Sequence, residues 1–185
     1  MAPGDSLRTL TALALQKCLQ RMGRGNPGDW RLTAVEAQPG TLAGALAPYE
    51  GIHTAASYMV MDALPFAGAM LVNPADIEAI SRSFTGHSFP RGARITPAEE
   101  VMLTELGNIF INVLVNVLLN ALKSSALPAL PAFAAGDAQA LGAAIAAPKG
   151  PCRLIEARME LRGSGPASEV HLFGLIPESL AARLD

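Results

Sequence analysis

The sequence predicts a mixed α/β (α+β) fold in a single soluble domain, on three observations. A helix-start signal at residues 96–99 opens a long, nearly uncharged apolar run. Short alternating or continuous apolar runs between turn residues read as strands in pairs. The same order of elements then occurs twice along the chain, which divides residues 1–185 into related halves of about 1–90 and 91–185. Half of the residues are apolar, enough to bury a core without a metal or a disulfide.

Along residues 7–22 the apolar side chains Leu7, Leu10, Leu13, Ala14, Cys18 and Met22 recur at helical spacing, with Asp5 or Ser6 as the expected N-cap. A glycine-rich turn at 23–28 ends this helix, and residues 30–35 alternate as a strand. Beyond a loose Pro/Gly/Ala stretch, residues 55–61 and 65–72 are expected as two strands joined by a turn at 62–64. Pro74 opens a short helix whose inner face is Ile77, Ile80 and Phe84. The order then recurs: a helix over about 97–123, a strand at 126–133, a small Ala-rich helix at 136–147, strands at 152–161 and 169–175, and a final helix led by Pro177 with Leu180 and Leu184 inward. The Leu71–Ile77 wording beside that of 175–180 is the clearest local trace of a duplication.

Composition excludes several functions. A formal charge of -2 without blocks of like charge announces no nucleic-acid arm and no polybasic membrane patch. Cys18 and Cys152 lie far apart in apolar stretches and read as reduced thiols; with a start lacking a basic, apolar leader, they place the chain in the cytoplasm. His53, His87 and His171 have no ligand spacing. Gly23, Gly25 and Gly28 have the spacing of a dinucleotide loop, but they follow a helix and precede a strand, the reverse of what phosphate binding needs. Trp30, Tyr49 and Tyr58 are expected to pack rather than to stack on a ligand.

The helix over 97–123 is the informative element. Thr96-Pro97-Ala98-Glu99 combines a capping box with proline at the first helical position. At about 100° per residue, Glu105, Asn108, Asn112, Asn116 and Asn120 share one line, and the other sides are Leu, Ile, Val, Phe or Met. Residues 106–122 carry no charge, but asparagines in lipid would each need a partner, so no membrane span is expected. Asn116 and Asn120 are expected to bridge neighbouring core elements, as amides at packing seams commonly do. Glu105 and Asn108 sit near the first turns, where a carboxylate stays ionised in water, and present one ion-pairing and one water-orienting group together.

These residues resemble the motif of the CheC, CheX and FliY chemotaxis phosphatases: Asp or Ser, three residues, Glu, two residues, Asn, twenty-two residues, Pro. Here Glu105, Gly107-Asn108 and Pro131 stand in place, and Val101 occupies the leading position. In the first half Asp5 fits the leading position, while Thr9 and Ala12 stand where Glu and Asn would be, leaving one candidate site. The resemblance implies a pseudo-duplicated CheC-like domain with its long helices on one face of a sheet. It implies hydrolysis of the aspartyl phosphate of a CheY-like response regulator, with Asn108 orienting the attacking water and Glu105 pairing with the regulator's active-site lysine. No cofactor of the chain's own is implied, since the Mg²⁺ belongs to the regulator. Some relatives pair with themselves and others with a CheD-like deamidase, which adds both to the expected partners. Val101 keeps a second class open, a non-catalytic binding module like the flagellar switch components. A third is a structural domain with the asparagine line as its interface.

Overall fold

Residues 4–23, 28–89, 92, 94–163 and 166–184 are described by a computed structural model. The elements run α1 (Asp5–Met22), β1 (Asp29–Gly40), α2 (Leu42–Leu46), β2 (Thr54–Met61), β3 (Phe66–Val72), α3 (Ile77–Thr85), α4 (Pro97–Leu122), β4 (Ala132–Gly136), α5 (Ala138–Ala144), β5 (Cys152–Arg162), β6 (Ser168–Pro177) and α6 (Glu178–Ala181). One order, helix–strand–short helix–hairpin–helix, therefore occurs twice.

The six strands form one antiparallel sheet in the order β1-β5-β6-β3-β2-β4. That order is the same from either end once the halves are exchanged: each half's lone strand borders the other half's hairpin. Trp30 of β1 thus lies opposite Leu161 of β5, and Tyr58 of β2 opposite Ala132 of β4. Neither half holds a complete sheet, so the two must fold together.

Helices α1 and α4 lie on one face and bury Leu7, Leu15, Leu106, Phe110 and Leu114 against Phe66, Met70 and Leu172. Trp30 joins this layer as a core anchor, its indole Nε1–H donating to Ser83 Oγ at 3.1 Å and its ring 5.9 Å from that of Phe110. The short helices α2 and α5 cover the other face, where Ala56, Ala67 and Ala69 leave room for Leu46 and Leu141 to pack close to the strands. On that face Tyr49, His171 and Glu156 form a chain. Glu156 can only accept, so His171 Nε2–H donates to it at 3.2 Å, and Nδ1 shares a hydrogen bond of 2.9 Å with the Tyr49 hydroxyl. Burial pushes the Tyr49 phenol up to about 12.

Several local expectations are corrected. Gly4, with φ of 91°, a left-handed conformation that favours glycine, is the N-cap of α1 in place of Asp5 or Ser6. The loose stretch after residue 35 is in part strand, since β1 continues to Gly40, and in part helix, with α2 capped by Thr41 Oγ1 accepting from Gly44 N–H. The strand expected at 126–133 begins only at Ala132; the prolines at 128 and 131 have no N–H to give to a ladder. Each half therefore carries a short helix between its lone strand and its hairpin. The turn expected at 23–28 falls mostly outside the described residues.

Candidate functional site

Helix α4 starts as its capping box requires. Glu99 N–H meets Thr96 Oγ1 at 3.3 Å, and the Glu99 carboxylate accepts from Thr96 N–H at 2.7 Å and from the Thr96 hydroxyl at 2.9 Å. Lys123 ends it in the left-handed conformation, with Ser124 N–H reaching back to Leu119 O at 2.9 Å. By length and composition α4 could cross a membrane. Here its apolar side is the middle of the core.

Between these ends, Gly107 sets how close the helix comes to the sheet. A Cβ there would stand 2.2 Å from Ser57 Oγ and 2.4 Å from Ser57 Cβ, so only glycine allows this approach. The buried flank of the helix, with Leu106 beside Gly107, is thereby fixed, and Glu105 and Asn108 are turned outward. Glu105 is exposed and has no cation partner among the described residues; Asn108 is half-exposed. Three residues apart on a helix, they share one face.

Asn112, one turn on, donates from Nδ2 to Asn108 Oδ1 at 2.7 Å. Its own Oδ1 is buried without a partner among the described residues. The bond occupies one lone pair of Asn108 Oδ1 and leaves the other, together with Nδ2, for a water. The sequence placed Asn112 on the polar line but did not single it out; its spacing of four residues from Asn108 was the available signal.

Val101 is 64 % exposed at the near end of the same face. It borders a shallow apolar hollow with Phe84, Phe89 and Met102. Pro131 is the residue before β4 and marks entry into that strand, contributing no polar group to the pair. Asn116 and Asn120 are exposed instead of bridging buried elements, which corrects the expectation of a packing seam. Cys18 and Cys152 are free thiols, both pushed up chiefly by burial. Among the described residues, no three His, Cys, Asp or Glu side chains come together.

The corresponding helix of the first half presents itself in the same register. Leu7, Thr11, Leu15 and Leu19 are buried on α1 at the spacing of Leu103, Gly107, Ile111 and Val115 on α4. Thr9 and Ala12 therefore occupy the places of Glu105 and Asn108, and supply neither a carboxylate nor an amide there.

No family model and no curated protein sequence matches the chain. Solved structures do. FliY from Thermotoga maritima superposes with a TM-score of 0.61 at 12 % identity, over 98 % of this chain and 90 % of that one. A chain of the FliG–FliM complex from H. pylori gives 0.62 at 13 %, over 96 % of each. One of the CheX–CheY–BeF3–Mg²⁺ complex from Borrelia burgdorferi gives 0.56 at 13 %, over 91 % and 96 %. At these identities the likeness is one of architecture, and this chain has the CheC/CheX/FliY-like fold.

Proposed function

We propose that the chain is a phosphatase for the aspartyl phosphate of a CheY-like response regulator. The observation that carries this reading is the outward pair of Glu105 and Asn108 on a helix whose opposite flank is buried in the core, with Asn108 held by Asn112. Its support from outside the chain is a fold also found in a complex that contains CheX, CheY and Mg²⁺.

An acyl phosphate bound to Mg²⁺ on its own protein needs little covalent help; it needs a water in line with phosphorus. Asn108 holds that water through Nδ2–H and the remaining lone pair of Oδ1, without changing its own protonation. The water oxygen bonds to phosphorus as the bond from phosphorus to the aspartyl oxygen breaks. The aspartate leaves as its carboxylate, and the water's proton departs with inorganic phosphate. Glu105 pairs with a lysine beside the regulator's phosphorylated aspartate and so sets the helix over it. The Mg²⁺ is part of the regulator substrate.

Val101 favours a second reading, a module that recognises the regulator without hydrolysis, because an exposed apolar side chain stands where the resembling motif has Asp or Ser. Phosphate release from a phosphorylated CheY-like protein, with and without the chain, separates the two. A rate above the regulator's own is expected. Binding with no gain in rate would establish the module, and neither binding nor rate would sink both.

A further inference from the structure

Helices α1 and α4 leave a groove of about 440 Å³ between them, further along the line that begins at Glu105 and Asn108. Cys18, Val113 and Val117 form its half-buried floor. Lys17 and Arg21 line one wall, four residues apart and so on one face of α1; Asn116 and Asn120 line the other. No carboxylate lines the groove, and neither cation has an ion-pair partner among the described residues.

Resting on the phosphatase reading, we infer that this groove is the second half of the docking surface and takes an acidic patch on the same response regulator. At 1.5 Å per residue, Asn116 and Asn120 lie about 16–22 Å along the helix from Glu105. The surface is thus polarised: an unpaired carboxylate at one end, the water-holding amide beside it, and beyond them a groove, opening at Ile109, that holds two unpaired cations and two amides. A partner whose cation meets Glu105 must offer its carboxylates over this groove to complete the match, and in the reverse orientation like charges would meet. Complementarity of this kind gives the complex one direction and raises its on-rate. A phosphate polymer or an anionic lipid surface fits less well, because two cations are few and the chain as a whole carries -2.

The test is Lys17→Glu/Arg21→Glu, both positions being exposed. The variant is compared with the unaltered chain for phosphate release from the phosphorylated regulator and for binding to that regulator. The expected result is a KM and a Kd weakened about tenfold or more at low salt, an unchanged kcat, and a smaller loss of affinity on adding salt. Equal KM and Kd in the two proteins would overturn the inference. So would binding to anionic vesicles or duplex DNA that the variant loses while regulator binding persists. If the unaltered chain binds the regulator without hydrolysing it, only the catalytic reading falls, and the Kd comparison still decides this surface. If it does not bind at all, both fall.

Discussion

Asn112 Nδ2 donates to Asn108 Oδ1 at 2.7 Å, while Asn112 Oδ1 is buried without a partner. An unsatisfied buried carbonyl costs stability, so an apolar side chain at 112 should not weaken the fold. Asn112→Leu removes the orphan acceptor and frees the Asn108 rotamer. Turnover should fall about five- to tenfold, the equivalent of about 1 kcal/mol of side-chain ordering. The melting temperature should hold or rise, and regulator affinity should stay the same. Thermal melts beside single-turnover phosphate release measure both, and a variant that loses stability and keeps its rate would show a purely structural amide.

Asn108→Ala takes away the group that holds the water and nothing that docks the partner. Phosphate release should drop by about 100-fold with binding retained. Glu105→Ala removes a charge-assisted contact, and affinity and turnover at limiting regulator should both fall about tenfold. Titration of each variant with the regulator, alongside its turnover, separates the two roles.

Gly107→Ala would bring a methyl against Ser57, whose Oγ is itself buried and unpartnered. The chain should lose about 1–3 kcal/mol of stability, as overpacked cores do. Ser57→Gly opens the space, so the double variant should be less destabilised than the sum of the singles. Denaturant melts of the four proteins give the coupling; strict additivity would mean that the two residues do not meet.

The Glu156 carboxyl is held below its ordinary range, first by the hydrogen bond from His171 and, more weakly, by charges and a further hydrogen bond around it; burial opposes them. A depressed folded-state value contributes stability that is complete above the unfolded value and is lost as pH falls through the folded one. The chain should therefore lose stability on acidification below the ordinary carboxylate range. Glu156→Gln should lose less over the same interval. Urea midpoints measured down that acid series compare the slopes, and parallel curves would mean that Glu156 does not contribute.

Much of the candidate site was legible because its determinants are near neighbours in the chain. The capping box spans four residues, and Glu105 and Asn108 are three apart on a helix whose period the apolar run declares. The hairpin β2–β3 was readable for the same reason, as was the start of β5 at Cys152. Helix α2 was missed because its five residues include Gly44 and alanines without an amphipathic period. Strand β4 was placed too early because proline in a strand is penalised only through the ladder that it cannot join.

By its sequence alone the chain determined the helix α4, its polar line and the doubled order of elements, since helical period, caps and turn residues act over a few residues. The tertiary structure decided what no local pattern carries. It set β1 beside β5 and β4 beside β2, exchanging edge strands between the halves. It brought α4 down onto Ser57 at Gly107, and it set Lys17 and Arg21 across a groove from Asn116 and Asn120. These pairings join residues 50 to more than 100 positions apart, beyond the reach of helical period, caps and turns.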